Sequence, residues 1–226
     1  MKVCAVIPAF NNETTIAKVV EGARAHLEQV LVIDDGSTDD TPYAAADAGA
    51  QVIRVSKNRG KGNALRVAFR FARENGLDAI VTMDADLQHD PHEIPRFLDR
   101  HRKKGAKIVV GNRMWDKKNI PPIRYAPNKI GTVTFSWLIG QPIEDSQCGF
   151  RFYGREVMDH IPIVNDGFEA EADILLRAGK RGYGIDFVPI KAVYFSDPQH
   201  RSYYRNVRDT FRISIIFLMN LFWKNR

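Results

Sequence analysis

The sequence predicts an α/β fold in which a mostly parallel sheet is covered by helices on both faces. Over the first half of the chain, short apolar segments alternate with segments whose apolar residues recur every three or four positions. This alternation is typical of buried parallel strands that are connected by amphipathic helices. Polar clusters directly follow three of the apolar segments, and ligands of open α/β sheets lie beyond the carboxyl ends of the strands.

The first half is predicted to contain alternating strands and helices. Apolar residues at helical spacing, such as Ile16, Val19 and Val20, define the helices. The predicted strands span residues 2–7, 30–33, 51–55, 79–83 and 106–111, and the predicted helices span 16–27, 41–48, 64–74 and 91–104. The glycine-containing loop 58–63 lacks the Gly-x4-Gly-Lys-Ser/Thr pattern, which excludes a P-loop ATPase.

The second half is less regular. Residues 115–128 are rich in Lys, Pro and Arg, which favours a long loop, and the apolar residues 130–139 favour a helix. The further predicted elements are a strand with a polar head at 145–152, a helix at 169–181 and a strand at 185–188.

The last residues, 206–226, are predicted to form an apolar C-terminal helix. Its aromatic residues and its flanking Arg and Lys are typical of a helix that lies at a membrane surface. A helix that is apolar on most faces also suits docking on the core of its own protein or a dimer contact, so these alternatives stay open.

The composition limits the partners and the compartment. A net charge of +6 suits an anionic substrate or an anionic membrane surface, and the absence of zinc-finger, RNA-binding and heptad signatures argues against nucleic acid. Cys4 and Cys148 are the only cysteines, which is simplest in a reducing cytosol. No apolar stretch reaches about 18 residues, so a membrane-spanning helix is not expected. The expected location is the cytoplasm, peripheral at the membrane face.

An acidic cluster follows the fourth predicted strand. If the backbone stays extended after that strand, Asp84, Asp86 and Gln88 project to one side, and their oxygen atoms suit a hard divalent cation. Such a cation can clamp a diphosphate. An acidic turn is the alternative interpretation, since Asp is common in turns. Because parallel strands end at one edge of a sheet, this cluster is expected to converge with residues 8–13 and 34–39.

Several motifs together resemble those of a known family. Residues 6–13 (VIPAFNNE), 32–41 (VIDDGSTDDT), 84–86 (DAD) and 111–113 (GNR) come in the order of the large inverting glycosyltransferase family 2, which has the GT-A fold. The strings at 58–62 (NRGKG), 84–89 (DADLQH) and 145–151 (DSQCGFR) are similar to its dolichol-phosphate mannose synthase branch, whose members are polyprenyl-phosphate glycosyltransferases. Several ordered motifs are far more specific than one acidic tripeptide.

The resemblance implies a set of binding residues. A nucleotide sugar and Mg²⁺ or Mn²⁺ would be held by residues of the matching motifs: Pro8, Ala9, Glu13 and Asp35 at the nucleoside, Lys61 and Ala85 near the nucleotide, Asp84, Asp86 and Gln88 at the metal, and Arg113 and Arg124 at phosphates. The chemistry fits these roles, because a carboxylate accepts two ribose hydroxyl hydrogen bonds, a divalent cation neutralises a diphosphate leaving group and Arg matches phosphate oxygens. A solvated surface position is the alternative for both arginines.

The implied reaction is a single displacement at the anomeric carbon with inversion, for which Asp86, Arg113 and Asp145 are the candidate catalytic residues. Asp145 would be the general base for a hydroxyl acceptor. A phosphate monoester, whose second pKa is about 6, is already largely anionic at neutral pH and could attack unaided. Basic residues that favour a phosphate acceptor are Arg124, Lys129, His200 and Arg201.

The expected enzyme moves a hexose from a GDP-mannose or UDP-glucose type donor to a polyprenyl or dolichyl phosphate. The alternatives are transfer to a glycan or soluble hydroxyl, and a nucleotide-sugar-binding scaffold without turnover. One GT-A domain is expected, with a nucleotide-sugar-binding half at 1–115, an acceptor-side half at 116–205 and the apolar helix at 206–226; a homodimer is one expected assembly.

Four further polar residues receive a structural interpretation. For Glu169 and Glu171, a solvated helix face is favoured over the alternative that they face the site, and His89 and His92 are interpreted as capping or surface residues.

Overall fold

The computed structural model describes residues 1–116, 120 and 122–191, apart from the side chains of 122–124 and 127. The predictions for the C-terminal helix at 206–226 and for His200 and Arg201 therefore lie outside the described residues.

A twisted sheet forms the centre of the described part of the chain. Its strands are β1 (Val3–Ala9), β2 (Gln29–Asp34), β3 (Gln51–Arg54), β4 (Ala79–Thr82), β5 (Ile108–Asn112), β6 (Arg151–Gly154) and β7 (Ile185–Pro189). They lie in the order β3-β2-β1-β4-β6-β5-β7. The pairings are parallel, except that β6 runs antiparallel to both β4 and β5. The predicted α/β fold with a mostly parallel sheet is confirmed.

Helices connect the strands, and their apolar residues pack on the sheet. They are α1 (Ile16–Arg24), α2 (Thr41–Asp47), α3 (Lys61–Glu74), α4 (Ile94–Lys104, preceded by a 3-10 turn at Pro91–Glu93), α5 (Pro122–Ile139), α6 (Arg155–His160) and α7 (Glu169–Lys180). In α1 the residues that define the helical spacing, including Ile16, Val19 and Val20, are fully buried.

The second half differs from the predicted elements. The segment predicted as a loop at 115–128 is helical from Pro122 onward, because α5 begins there. A proline in the first helical turn is tolerated, since its missing N–H has no partner in the helix there. Residues 145–150 form no strand, and α6 was not predicted. Within the described residues, no helix combines the length and the apolar character needed to cross a bilayer.

The three predicted polar clusters meet at the carboxyl edge of the sheet. The backbone N–H of Asn11 donates to Ser37 Oγ at 2.9 Å, and Thr15 Oγ1 donates to the carbonyl of Ala85 at 2.6 Å. The loops after β1, β2 and β4 are thus in direct contact, as the parallel topology predicts.

Candidate active site

The acidic loop after β4 turns sharply instead of continuing as a strand. β4 ends at Thr82, the N–H of Gln88 donates back to Asp86 Oδ1 at 3.1 Å, and Leu87 has φ +63°. The extended backbone, which was the condition for projecting Asp84, Asp86 and Gln88 to one side, is therefore not present. The turn instead closes on itself through an Asp side chain, which is a common way for Asp to stabilise a turn.

The buried side chain of His89 holds the first residue of this loop in place. Its ring is buried and lies tilted against Phe150, with 5.3 Å between the ring centroids and 33° between the ring planes. The backbone N–H of Asp84 donates to His89 Nδ1 at 3.1 Å. Burial lowers the pKa of His89 to about 4, so the ring is neutral at pH 7 and Nδ1 can accept this bond. The prediction of a capping or surface role is wrong for His89, whereas His92 is exposed in the 3-10 turn.

Lys61, the first residue of α3, lies between two carboxylates. Its Nζ is 2.5 Å from Asp84 Oδ1 and 3.1 Å from Glu171 Oε2. The side chains of Lys61 and Glu171 are only 9% and 7% exposed. Burial alone would lower the pKa of Lys61, but the two carboxylates hold it above its usual value. Burial alone would likewise raise the pKa of Asp84, but Lys61 holds it well below its usual range.

The interpretation of Glu171 as part of a solvated helix face is wrong. α7 begins at Glu169 and presents nearly all of its first two turns to the interior. Glu171 thereby faces Lys61, and its second oxygen, Oε1, is buried without a hydrogen-bond partner among the described residues.

Asp86 is a partly buried carboxylate close to Asp84, and the negative charges of the two side chains repel each other. Burial and the neighbouring Asp84 raise the pKa of Asp86 to about 6. A cation close to both carboxylates would relieve this repulsion. Within residues 1–116, 120 and 122–191, no three His, Cys, Asp or Glu side chains are arranged as a metal-binding group. The donors nevertheless fit Mg²⁺ or Mn²⁺, since Mg²⁺ is typically held by one or two carboxylates together with substrate phosphates and water.

Asp35 anchors the loop that leads into α3. It is 5% exposed, and its carboxylate accepts from the N–H groups of Arg59 (3.1 Å) and Gly60 (2.6 Å). Burial raises the pKa of Asp35. Gly60 has φ +99°, and a Cβ there would lie 2.5 Å from the carbonyl oxygen of Asp166, so only glycine fits this turn. Asp35 thereby fixes the residue directly before Lys61.

Arg113 and Asp145 form a planar, two-point ion pair at the end of β5. Arg113 Nε donates to Asp145 Oδ2 at 2.9 Å and its NH2 group donates to Oδ1 at 3.0 Å. Asn128 of α5 adds a hydrogen bond of 2.9 Å to Oδ1, and the backbone N–H groups of Gln147 and Cys148 donate to the same oxygen. Asp145 is fully buried. Burial alone would raise its pKa, but Arg113 and the other donors hold the pKa of Asp145 below its usual value.

The remaining predicted residues border the same edge. Pro8 and Ala9 end β1, and Ala85 is buried in the acidic loop. Glu13 is exposed, and its Oε2 accepts from the N–H of Asp40 at 3.1 Å. Arg124 lies in α5, but its side chain is outside the described part of the chain. Apart from Arg124, whose side chain is not described, the predicted residues thus lie at element ends and loops of the carboxyl edge of the sheet.

Arg151 is a buried residue that the sequence did not single out. Its guanidinium donates to the carbonyls of Cys148 (2.6 Å), Glu171 (2.6 Å) and Ser146 (3.0 Å). It therefore joins the loop after Asp145 to the start of α7. The sequence shows that Arg151 is charged, but it does not show that Arg151 is buried. Its burial depends on the position of β6 between β4 and β5 in antiparallel direction, which was not predicted.

Carboxylates, a buried Lys and an Arg on converging loops at the edge of a mostly parallel sheet are the arrangement expected of the GT-A class. The profile of the family described as "Glycosyl transferase family 2" matches residues 4–162, and the chain belongs to this family. The protein is accordingly a glycosyltransferase, and the alternative of a scaffold without turnover is not retained.

Relatives support the expected likeness to the polyprenyl-phosphate branch. The undecaprenyl-phosphate mannosyltransferase of Micrococcus luteus is 30% identical over 85% of this chain and 84% of that protein. The UDP-N-acetylglucosamine–dolichyl-phosphate N-acetylglucosaminyltransferase of Methanococcus voltae is 27% identical over 95% of this chain and 94% of that protein. The glycosyltransferase AglJ of Haloferax volcanii is 32% identical over 87% of this chain, which spans 64% of that longer protein.

Solved structures share the fold. Glucosyl-3-phosphoglycerate synthase of Mycobacterium tuberculosis, crystallised with Mn²⁺, UDP and glucosyl-3-phosphoglycerate, matches with a TM-score of 0.78 at 20% identity, over 99% of this chain and 81% of that chain. A likeness at this level of identity establishes the GT-A fold and nothing about the substrate.

Proposed function

We propose that the protein is a metal-dependent inverting glycosyltransferase that moves a hexose from a nucleotide sugar to a polyprenyl or dolichyl phosphate. The observation that carries the proposal is the convergence of Asp35, Lys61, Asp84 and Asp86, together with the Arg113–Asp145 pair, at one edge of a parallel sheet. Two relatives are named for transfer to undecaprenyl phosphate and to dolichyl phosphate. Their names give different sugars, so the donor is proposed only as a GDP-mannose or UDP-glucose type.

The donor is proposed to lie across the loops after β1, β2 and β4. Pro8, Ala9, Glu13 and Asp35 would border the nucleoside. The carboxylates of Glu13 and Asp35 each retain acceptor capacity beyond the backbone hydrogen bonds that they already accept. Asp84, Asp86 and Gln88 would hold Mg²⁺ or Mn²⁺, which when bound neutralises the charge of the leaving diphosphate.

The Arg113–Asp145 pair favours an acceptor that needs no general base. A base must have a lone pair directed at the proton it removes. Asp145, by contrast, is fully buried and accepts from the side chains of Arg113 and Asn128 and from three backbone N–H groups. In the proposed role, Asp145 holds Arg113 so that its guanidinium can bind phosphate. An oxygen of the acceptor phosphate attacks the anomeric carbon, and the electron pair of the breaking glycosidic bond leaves with the nucleoside diphosphate.

The outer face of α5 supports a lipid acceptor. Ile130, Val133 and Trp137 are 70%, 59% and 71% exposed, and their spacing places them on one face of the helix. Asn128, on the buried side of the same helix, contacts Asp145. One helix thus carries an exposed apolar face and, on its other side, a residue that holds the pair proposed to bind phosphate, which suits a substrate with a phosphate head and a hydrocarbon tail. We therefore propose that the enzyme acts at a membrane surface.

A panel of nucleotide sugars tests the proposal. The protein is incubated with Mn²⁺ or Mg²⁺, polyprenyl phosphate and each donor, and the release of nucleoside diphosphate is followed with and without EDTA. We expect release with at least one donor and its loss in EDTA. Lack of release with every donor would overturn the proposed reaction, and release that persists in EDTA would overturn its metal dependence.

A further inference from the structure

Lys61 occupies the carboxylate at which a divalent cation would bind. Its ammonium is 2.5 Å from Asp84 Oδ1, a distance at which no cation can approach the same oxygen from the same side. The charge of Asp84 is therefore paired with the ammonium of a side chain. A cation that binds Asp84 must therefore either bind beside the ammonium of Lys61 or displace it. Binding beside the ammonium is unfavourable, because two positive charges that share one carboxylate repel each other strongly in a partly desolvated site.

Glu171 offers the second position for the displaced ammonium. Its Oε2 is already 3.1 Å from Lys61 Nζ, and its Oε1 is buried with no hydrogen-bond partner in the described part of the chain. A buried, unpaired carboxylate oxygen is costly. A small movement of the ammonium from Asp84 toward Glu171 would satisfy this oxygen, and it would leave Asp84 free to bind a cation.

The surroundings limit how Lys61 can move. Gly149 lies against the pair, since a Cβ there would be 2.5 Å from Lys61 Nζ and 2.8 Å from Asp84 Oδ2. The ring of Phe168 lies on another side, 5.9 Å from Nζ. The backbone of Lys61 is fixed as well, because α3 begins there and the N–H of the next residue, Gly62, donates to the carbonyl of Asp166 at 2.7 Å. The ammonium therefore moves by rotation of its own side chain, between two oxygens that both lie within its reach.

We infer that Lys61 acts as an internal placeholder for the divalent cation, and that Glu171 is the positioning residue that receives its ammonium when the cation binds Asp84. This inference rests on the proposed function, because it assumes the metal site at Asp84 and Asp86. It adds that α7, which contributes no proposed metal ligand, controls how strongly that site binds a cation.

A double-mutant cycle on Mn²⁺ binding tests the inference. Free Mn²⁺ is counted by its electron paramagnetic resonance signal for the wild type, Glu171→Gln, Lys61→Met and the double variant. We expect Glu171→Gln to weaken Mn²⁺ binding about tenfold, since the ammonium then has no charged alternative to Asp84. In the Lys61→Met background the same change is expected to alter binding by less than about twofold, because Glu171 acts only through Lys61.

The cycle separates this mechanism from a simple field effect. If Glu171 acted only as one more negative charge near the cation, Glu171→Gln would weaken binding by the same factor in both backgrounds, and this result would overturn the inference. Matched controls are Glu21→Gln and Lys18→Met on the exposed side of α1, which make the same chemical changes away from the site and should leave Mn²⁺ binding unchanged.

Two further outcomes are decisive. Should Lys61→Met fail to fold, the ¹⁵N resonance of the Lys61 ammonium is followed instead while Mg²⁺ is added to the wild type and to Glu171→Gln. A shift that is lost in the variant supports the movement, and no shift in the wild type contradicts it. A wild type that binds no Mn²⁺, even with a nucleoside diphosphate present, would overturn the metal site of the proposed function itself, whereas normal binding without coupling overturns only the placeholder role.

Discussion

Asp86 is the residue at which stability and function are expected to oppose each other. Its pKa is raised from 3.8 to about 6 by burial and by Asp84. A carboxyl whose folded pKa lies above its unfolded value destabilises the fold as it loses its proton, so this cost appears as the pH rises from about 4 to about 6. We expect Asp86→Asn to stabilise the metal-free protein at pH 7 by on the order of 2 kcal/mol, to abolish Mn²⁺ binding and to have no stabilising effect below about pH 4.

Urea unfolding in EDTA at pH 4 and at pH 7 measures the difference in the free energy of unfolding between Asp86→Asn and the wild type. Asp47→Asn, on the exposed side of α2, makes the same change away from the site and should show no such dependence on pH. An Asp86→Asn protein that is less stable than the wild type at pH 7 would contradict the assignment of Asp86 as a strained, charge-repelled carboxylate.

The acidic residues of the site can be located from the sequence, whereas the side chains that hold them in place cannot. Asp84, Asp86 and Asp35 follow strands that are recognisable from their apolar character, so their meeting at one edge follows from the topology. The sequence favours a solvated helix face for Glu171, since charged residues are mostly exposed, and a capping or surface role for His89, since oxygen donors already suit the cation. Their burial depends on which face of α7 and of the acidic loop meets Lys61 and Phe150, and that depends on long-range packing.

At the scale of secondary structure, the loop that carries Gly149 is predicted to control the Lys61–Asp84 pair. Gly149→Ala would place a Cβ 2.5 Å from Lys61 Nζ and 2.8 Å from Asp84 Oδ2. Both contacts are to the ends of side chains, so we expect the pair to shift and the fold to survive. Transfer activity should fall about tenfold or more, since small displacements in an active site are costly, while the urea midpoint should change little.

Gly154→Ala is the matched control for this substitution. At Gly154 a Cβ would have no neighbour closer than 3.4 Å, the carbonyl oxygen of Lys107. Activity measured for both variants at saturating donor should therefore fall only for Gly149→Ala. An equal effect of the two substitutions would show that the close approach at Gly149 has no bearing on the site.

The exposed apolar face of α5 is predicted to bind lipid. Trp137→Glu places a charge at a position that is 71% exposed, so it should leave folding intact and weaken sedimentation with anionic vesicles, because burial of an indole ring at a membrane surface is lost. Tyr43→Glu on α2, where the side chain is 63% exposed, is the control and should sediment as the wild type does. Unchanged sedimentation of Trp137→Glu would contradict the prediction that α5 binds lipid.

Helix α5 also shows why the second half was harder to predict than the first. Its beginning contains Pro122, Pro127 and the basic residues Arg124 and Lys129, a composition typical of loops, although proline is compatible with the first position of a helix. The strand β6 pairs with β4 and β5 in antiparallel direction, and such an insertion leaves no mark in the local pattern. The alternating first half could be predicted because each of its elements carries its own periodicity.

In the whole molecule, two regions of one sheet edge are proposed to have different functions, namely binding of the donor and binding of the acceptor. The loops after β1, β2 and β4 bring together the residues proposed for the nucleotide and the cation, whereas β5, α5 and the loop before β6 bring together Arg113, Asn128 and Asp145. Lys61 and Glu171 connect the first region to α7. Donor and acceptor are therefore proposed to bind at these two regions, and Asp145, which is paired with Arg113, is proposed not to act as a base.

The most direct test of this account compares two acceptors that differ only in the phosphate. Transfer of a radiolabelled sugar is measured to a polyprenyl phosphate and to the corresponding polyprenol, with the same donor and Mn²⁺. The account predicts transfer to the phosphate, with an acidic limb in the rate near the second phosphate pKa of about 6, and none to the alcohol. Equal or preferred transfer to the polyprenol would contradict it, because that reaction requires a general base and would return this role to Asp145.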